Sequence, residues 1–117
     1  MSEYLPLFKP GQEVTYRASA PVAGGQLVEV TGDRTIGPAA ADSAKTVGVA
    51  GFNAADGDEV VVYSGGVQRP IASGAIAAGD RVGAAADGKV ATAATVKIGT
   101  ALAAAADGET TQIKLDN

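Results

Sequence analysis

The chain has 117 residues, a formal charge of −4, no Cys, no His and no Trp. Disulfides, thiolate or histidine metal sites and Ser-His-Asp or Cys-His nucleophilic sets are therefore excluded. The nine basic residues are spread singly, which disfavours the electrostatic footprint of a nucleic-acid binder.

The length predicts one domain. Apolar residues make up 46% of it but are largely Ala and Val, so the core is modest and docking or oligomerisation is a natural supplement. Apolar stretches such as 70–79 and 98–106 are far shorter than the ~18 residues of a membrane helix. Met1-Ser2-Glu3 lacks a basic region followed by an apolar run, which predicts a mature intracellular product without a secretory signal.

In chain order, residues 1–12 read as an extended arm. Pro6 and Pro10 fix φ and bias their predecessors away from helix, while Tyr4, Leu5, Leu7 and Phe8 concentrate apolar surface. The expectation is an arm docking on its own barrel, a sister subunit or another protein. Tyr4, Leu5, Pro6, Leu7, Phe8, Lys9 and Pro10 are the candidate capsid or subunit contacts, and a plain first strand is the alternative.

From Glu13 onward short strands alternate with turns. Residues 13–18 alternate polar and apolar, 26–30 and 34–36 follow with Gly37-Pro38 as a stop, and 39–44 read as a loop. Strands are expected near 46–50 and 59–64. Gly65-Gly66 then predicts a two-residue hairpin to 67–69, with Pro70 marking an edge. Further on, Asp87-Gly88 predicts a hairpin before Lys89-Val90, and Gly at 74, 79, 83 and 88 breaks every Ala-rich helical window.

The chain also repeats itself. Lys45-Thr46-Val47-Gly48-Val49-Ala50, followed by Ala54-Ala55-Asp56-Gly57-Asp58, returns as Val96-Lys97-Ile98-Gly99-Thr100-Ala101 followed by Ala105-Ala106-Asp107-Gly108-Glu109. The offset there is 51 (99 − 48), whereas Val22 to Ile76 and Ile36 to Val90 give 54, so three residues differ near 39–44. The prediction is an all-β fold: a compact small barrel or sandwich of short strands from two related halves. It spans 13–117, with the repeat at about 21–63 and 75–115.

Acidic residues remain as candidates for chemistry. Asp56, Asp58 and Glu59 cluster about Gly57, and Asp80 and Asp87 flank other turns, but the spacing does not supply a calcium loop. Asp and Gly are the residues turns prefer, and that is the reading adopted. Gly24-Gly25 and Gly65-Gly66 do not sit in a phosphate-binding frame. Arg17, Arg34, Arg69 and Arg81 read as solvated strand-face residues or subunit contacts.

The Pro6–Gly11 arm, Val47-Gly48-Val49-Ala50 with Ala54–Asp58, Gly74–Val82, Ile98–Ala101 and Ala105–Glu109 together resemble small Gly/Ala-rich phage head proteins. These are the capsid decoration or cement proteins encoded beside the major capsid protein. The resemblance implies a non-enzymatic virion protein without cofactor or metal, made in the host cytoplasm. It would sit on the outer capsid surface as a homotrimer at threefold or quasi-threefold positions, bridging major capsid subunits, with no nucleic-acid or membrane partner. The alternative is a small β-clip-like module for a glycan or peptide, suggested by residues 74–82; an enzyme is a third reading resting only on carboxylates and lysines.

Overall fold

Alternation of side chains sets the first barrel. In a computed structural model, which describes residues 13–116, β1 (Val14–Ala18) turns Val14, Tyr16 and Ala18 toward the interior and Thr15 and Arg17 outward. β2 (Leu27–Gly32), β3 (Thr35–Pro38), β4 (Thr46–Ala50) and β5 (Glu59–Tyr63) follow, and the five close in the order β1-β3-β2-β4-β5. The β1–β3 contact is parallel and the other four are antiparallel. Closure leaves no long free edge, which suits a chain rich in short apolar strands.

The second half repeats the scheme with β6 (Val67–Gln68), β7 (Arg81–Ala85), β8 (Lys89–Ala91), β9 (Gly99–Ala101) and β10 (Ile113–Leu115). Its sheet order is β6-β10-β9-β7-β8, and a parallel bridge between Ala72 and Val90 stands where Ala18 and Ile36 close the first barrel.

The repeat holds pair by pair. Val28↔Gly48 becomes Val82↔Gly99, Ala50↔Val62 becomes Ala101↔Ile113, and Val30↔Ile36 becomes Ala84↔Val90. The isolated bridge Val22↔Ala54 likewise becomes Ile76↔Ala105. The offsets read from the sequence, 54 before the divergent loop and 51 after it, therefore carry the pairing register of one half onto the other.

Two apolar clusters fill the halves. Ala18, Val22, Val28, Ile36, Ala50, Ala54 and Val62 in one correspond to Ala72, Ile76, Val82, Val90, Ala101, Ala105 and Ile113 in the other. Leu27, Ala39 and Val49 of the first half belong to the second cluster, so the halves share a core.

Two sequence expectations are corrected. Gly65-Gly66 has positive φ at both residues (67° and 62°) as expected, but it does not close a hairpin. β5 is already paired on both sides by β1 and β4, and β6 pairs with β10, so this turn carries the chain from one half into the other. The strand expected over 34–36 does end at Gly37-Pro38, with both residues inside β3, but Arg34 is not part of it and stands at the preceding turn in left-handed geometry (φ 49°). The Asp87-Gly88 hairpin is real, with a single turn of 3-10 helix over Ala86–Gly88 joining β7 to β8. Residues 39–44 form a loop, as expected.

Candidate docking surfaces

Asp58, Asp80 and Glu109 serve turns, as Gln26 does. At four equivalent or related corners a side chain accepts the N–H of the residue three before it. Gln26 bonds Ala23, Asp58 bonds Ala55, Asp80 bonds Ala77 and Glu109 bonds Ala106, at 2.9, 3.4, 2.9 and 2.9 Å. In each the backbone N–H of the same residue also bonds the carbonyl three before it, so side chain and main chain close one turn together. Asp107 accepts from Gly74 N–H at 2.8 Å, pinning a second loop. Among the described residues no group of three or more Asp or Glu side chains is placed to hold a metal ion. None of the described helices is long and apolar enough to cross a membrane.

The candidate arm contacts, Tyr4 to Pro10, lie outside the described residues. What the described surface adds is a groove of about 500 Å³ where the halves meet. It is lined by Gly24, Gly25, Gly51, Tyr63, Gln68 and Arg69, among others. Tyr63 packs its ring over Gly51, where a Cβ would lie only 2.8 Å from the ring Cε2. Gly24 approaches the Phe52 backbone and donates its N–H to Asn53 Oδ1 at 2.9 Å. Tyr63 is 42% exposed and lines the groove, and Phe52, 48% exposed, follows Gly51 of that lining in the chain.

Sequence reasoning placed the adhesive aromatics on the arm and missed this pair. The signal was available in the repeat. The equivalents of Gly51, Phe52 and Tyr63 are Leu102, Ala103 and Lys114, so the second half replaces both aromatics while the strands beneath them are kept.

A second depression of about 520 Å³ lies on the far side of the first barrel, lined by Thr15, Tyr16, Arg17, Asp33, Arg34, Thr35 and Glu59. Arg34 donates to Thr15 O through Nη2 at 2.8 Å and stacks 5.8 Å from the Tyr16 ring centroid. Arg81 makes a bidentate pair with Asp116, at 2.7 and 2.6 Å, and also donates to Thr100 Oγ1 at 3.0 Å. The paired carboxylate raises the Arg81 pKa, and the guanidinium lowers that of Asp116.

These features define a small all-β protein, a closed five-stranded barrel followed by a related five-stranded sheet, in which Asp58, Asp80, Asp107 and Glu109 hold turns and loops and the surface grooves are open. The chain belongs to the phage cement protein family, which it matches over residues 8–116. Among solved structures it is similar to the head fiber gp8.5 N base of bacteriophage phi29. The TM-score is 0.72 and the identity 24%, over 90% of this chain and 93% of that one. At that identity the likeness establishes a shared fold. A search of curated proteins finds no match.

Proposed function

We propose that this phage structural protein decorates the outer surface of a capsid and stabilises it by bridging major capsid subunits, as a trimer at threefold or quasi-threefold positions. Membership of the cement family over residues 8–116 carries this reading. A part that binds only the assembled shell stabilises that shell by mass action and needs no chemistry of its own. The virion is accordingly its working location.

Tyr4, Leu5, Pro6, Leu7, Phe8, Lys9 and Pro10 supply the contact, with Tyr4, Leu7 and Phe8 as anchors and strand addition to a sheet edge as its mode. Proline fixes φ, so two prolines in the segment lower the ordering cost of an extended bound form. Support from the described surface is indirect: aromatic residues are favoured interface anchors, and Phe52 and Tyr63 are exposed beside the inter-half groove.

The test uses capsids stripped of this protein, rebound with the full chain or with a chain lacking residues 2–10. The full chain is expected to reoccupy threefold positions in a reconstruction and the shortened chain to lose occupancy. Equal occupancy of both would remove the arm from the contact, and full-chain density as isolated monomers away from symmetry axes would remove the trimer.

A further inference from the structure

The two halves meet through unlike surfaces. On the first half the contact is made by Gln26, Leu27, Ala39 and Val49; on the second it is made by the β7–β8 turn with Ala84 and Leu115. Gln26 Nε2 donates to Asp87 O at 2.8 Å and Gly88 N–H to Ala39 O at 3.0 Å. Gly88 is needed for this approach, because a Cβ there would lie 2.5 Å from Leu27 O and run into Gln26 Cγ. Since the repeat equivalents of Gln26 and Asp87 are Asp80 and Asp33, the contact is head-to-tail rather than self-complementary. A head-to-tail contact between like units has no built-in end and, where the rotation closes no ring, extends into filaments unless at least one terminus is closed.

Both termini of this two-unit stack carry altered residues at the contact positions. On the outward face of the second half, Leu27 and Val49 are replaced by Arg81 and Thr100. These two bond each other, and Arg81 pairs with Asp116, so a charged and hydrogen-bonded group stands where the first half presents buried aliphatic side chains. On the outward face of the first half, Gly88 is replaced by Arg34 and Leu115 by Ser64. Arg34 lies over Tyr16, in the depression formed by Thr15–Arg17, Asp33–Thr35 and Glu59. Those positions are the repeat equivalents of Arg69–Ile71, Asp87–Lys89 and Thr110, so the depression is the first half's version of the surface that carries the inter-half contact.

We infer that Arg81 with Thr100 and Asp116 at one end, and Arg34 over Tyr16 at the other, are caps that stop this chain from stacking head to tail onto further copies of itself. The logic is that of terminal units in repeat proteins, whose outer faces must be polar for the array to stay finite. The caps leave lateral surfaces, including the Phe52–Tyr63 groove, as the apolar ground for other contacts.

The test uncaps one end at a time. An Arg81→Leu/Thr100→Val chain and an Arg34→Gly chain are each checked for folding by circular dichroism, then mixed and followed by light scattering over a concentration series. Each alone is expected to keep the mass of the unmodified protein, because its other end stays closed. The mixture is expected to form a species of twice that mass and stop there. A chain with all three substitutions is expected to give species whose mass grows with concentration. A mixture of folded single-end variants that stays at the unmodified mass at every concentration overturns the inference, and this arm stands even if the triple variant does not fold. Capsid occupancy plays no part in the readout, so the result is independent of the decoration proposal.

Discussion

Asp42 and Val96, 54 positions apart, are joined by a 2.9 Å bond from the Val96 N–H to Asp42 Oδ1, and the same oxygen accepts the Thr95 N–H at 2.6 Å. Asp42 sits at φ 61° in the loop that makes the first half three residues longer than the second, and its own N–H reaches Ala84 O at 2.9 Å. The extra residues thus build a clasp between the halves. Asp42→Ala is expected to leave the strands intact while amide exchange at Thr95 and Val96 accelerates by about tenfold or more, since two charge-assisted bonds are lost together. Unchanged protection at both amides would show that the clasp contributes nothing to holding the halves.

That loop also shows how far the sequence could be read. The correspondence between the halves was legible because the same residues occur twice, whereas strand order was not; Val28 with Gly48 and Val82 with Gly99 record one geometric constraint in two places. The contact between the halves occurs once, so no internal copy marks Asp42, Leu27 or Gly88 as its members. The Gly65-Gly66 error has the same origin. Positive φ is a local property that the dipeptide does announce, but which strand β6 joins depends on β10, some 45 residues later. The candidate arm was visible from Pro6, Pro10 and its aromatics, whereas the exposure of Phe52 and Tyr63 depends on a groove assembled from both halves.

Stability should fall on the acid side and stay flat through neutrality. Glu29 is held below the usual carboxylate range by its bond with Ser43 and then by the Ala40 N–H, Asp42 by the Val96 N–H, and Asp116 by Arg81. A carboxylate whose folded pKa is depressed contributes fully above its unfolded value, roughly 3.9 for Asp and 4.3 for Glu. That contribution is lost as pH falls through the folded value. With no His or Cys, no side chain has its ordinary pKa between about 5 and 8. Urea midpoints are therefore expected to hold constant from about pH 8 to 5 and to drop below about pH 4, less steeply in Asp42→Asn. A midpoint that falls between pH 8 and 5 would contradict this account.

Gly99 is fixed by the strand beside it. A Cβ at this position would stand 2.6 Å from Lys114 O and 2.7 Å from Ile113 Cγ2, and at the equivalent Gly48 it would meet Tyr63 O more closely still. Because the obstacle is backbone of a paired strand, it cannot swing aside as a side-chain tip would. Gly99→Ala is expected to cost about 1–3 kcal/mol, the range for overpacking a tight site. Equilibrium unfolding measures this directly, and a loss below about 0.5 kcal/mol would mean that β10 shifts away at little cost.

Leu27 lies on a strand of the first barrel but packs in the cluster of the second, and it is fully buried. Leu27→Ala should therefore cost about 2–5 kcal/mol, as for other buried Leu truncations. Since the shared core couples the halves, the unmodified chain is expected to unfold in one transition. The Leu27→Ala chain, with that coupling weakened, should broaden or split it. Amide exchange of Val62 in the first half and of Ile113 in the second would report the two separately. If Leu27→Ala lowers both probes together by the same amount with an unchanged denaturant slope, the halves are coupled by more than this core.

The Phe52–Tyr63 pair offers the sharpest separation of binding from folding. Both rings are exposed by two-fifths or more, and neither is repeated in the second half, so their removal takes little from the core. Phe52→Ser is expected to shift stability by less than about 0.5 kcal/mol, the usual range for surface substitutions. Tyr63→Lys, which installs the residue found at the equivalent position 114, should be similarly mild even though the ring now rests on Gly51. If the groove is part of the capsid contact, the double variant should bind stripped capsids at least tenfold more weakly while keeping the unmodified thermal midpoint, because aromatic side chains at interfaces carry about 2 kcal/mol or more when they are hot spots. Binding isotherms on capsids give the answer: unchanged affinity would remove the two rings from the contact, and a joint fall of affinity and thermal midpoint would show that they serve the fold.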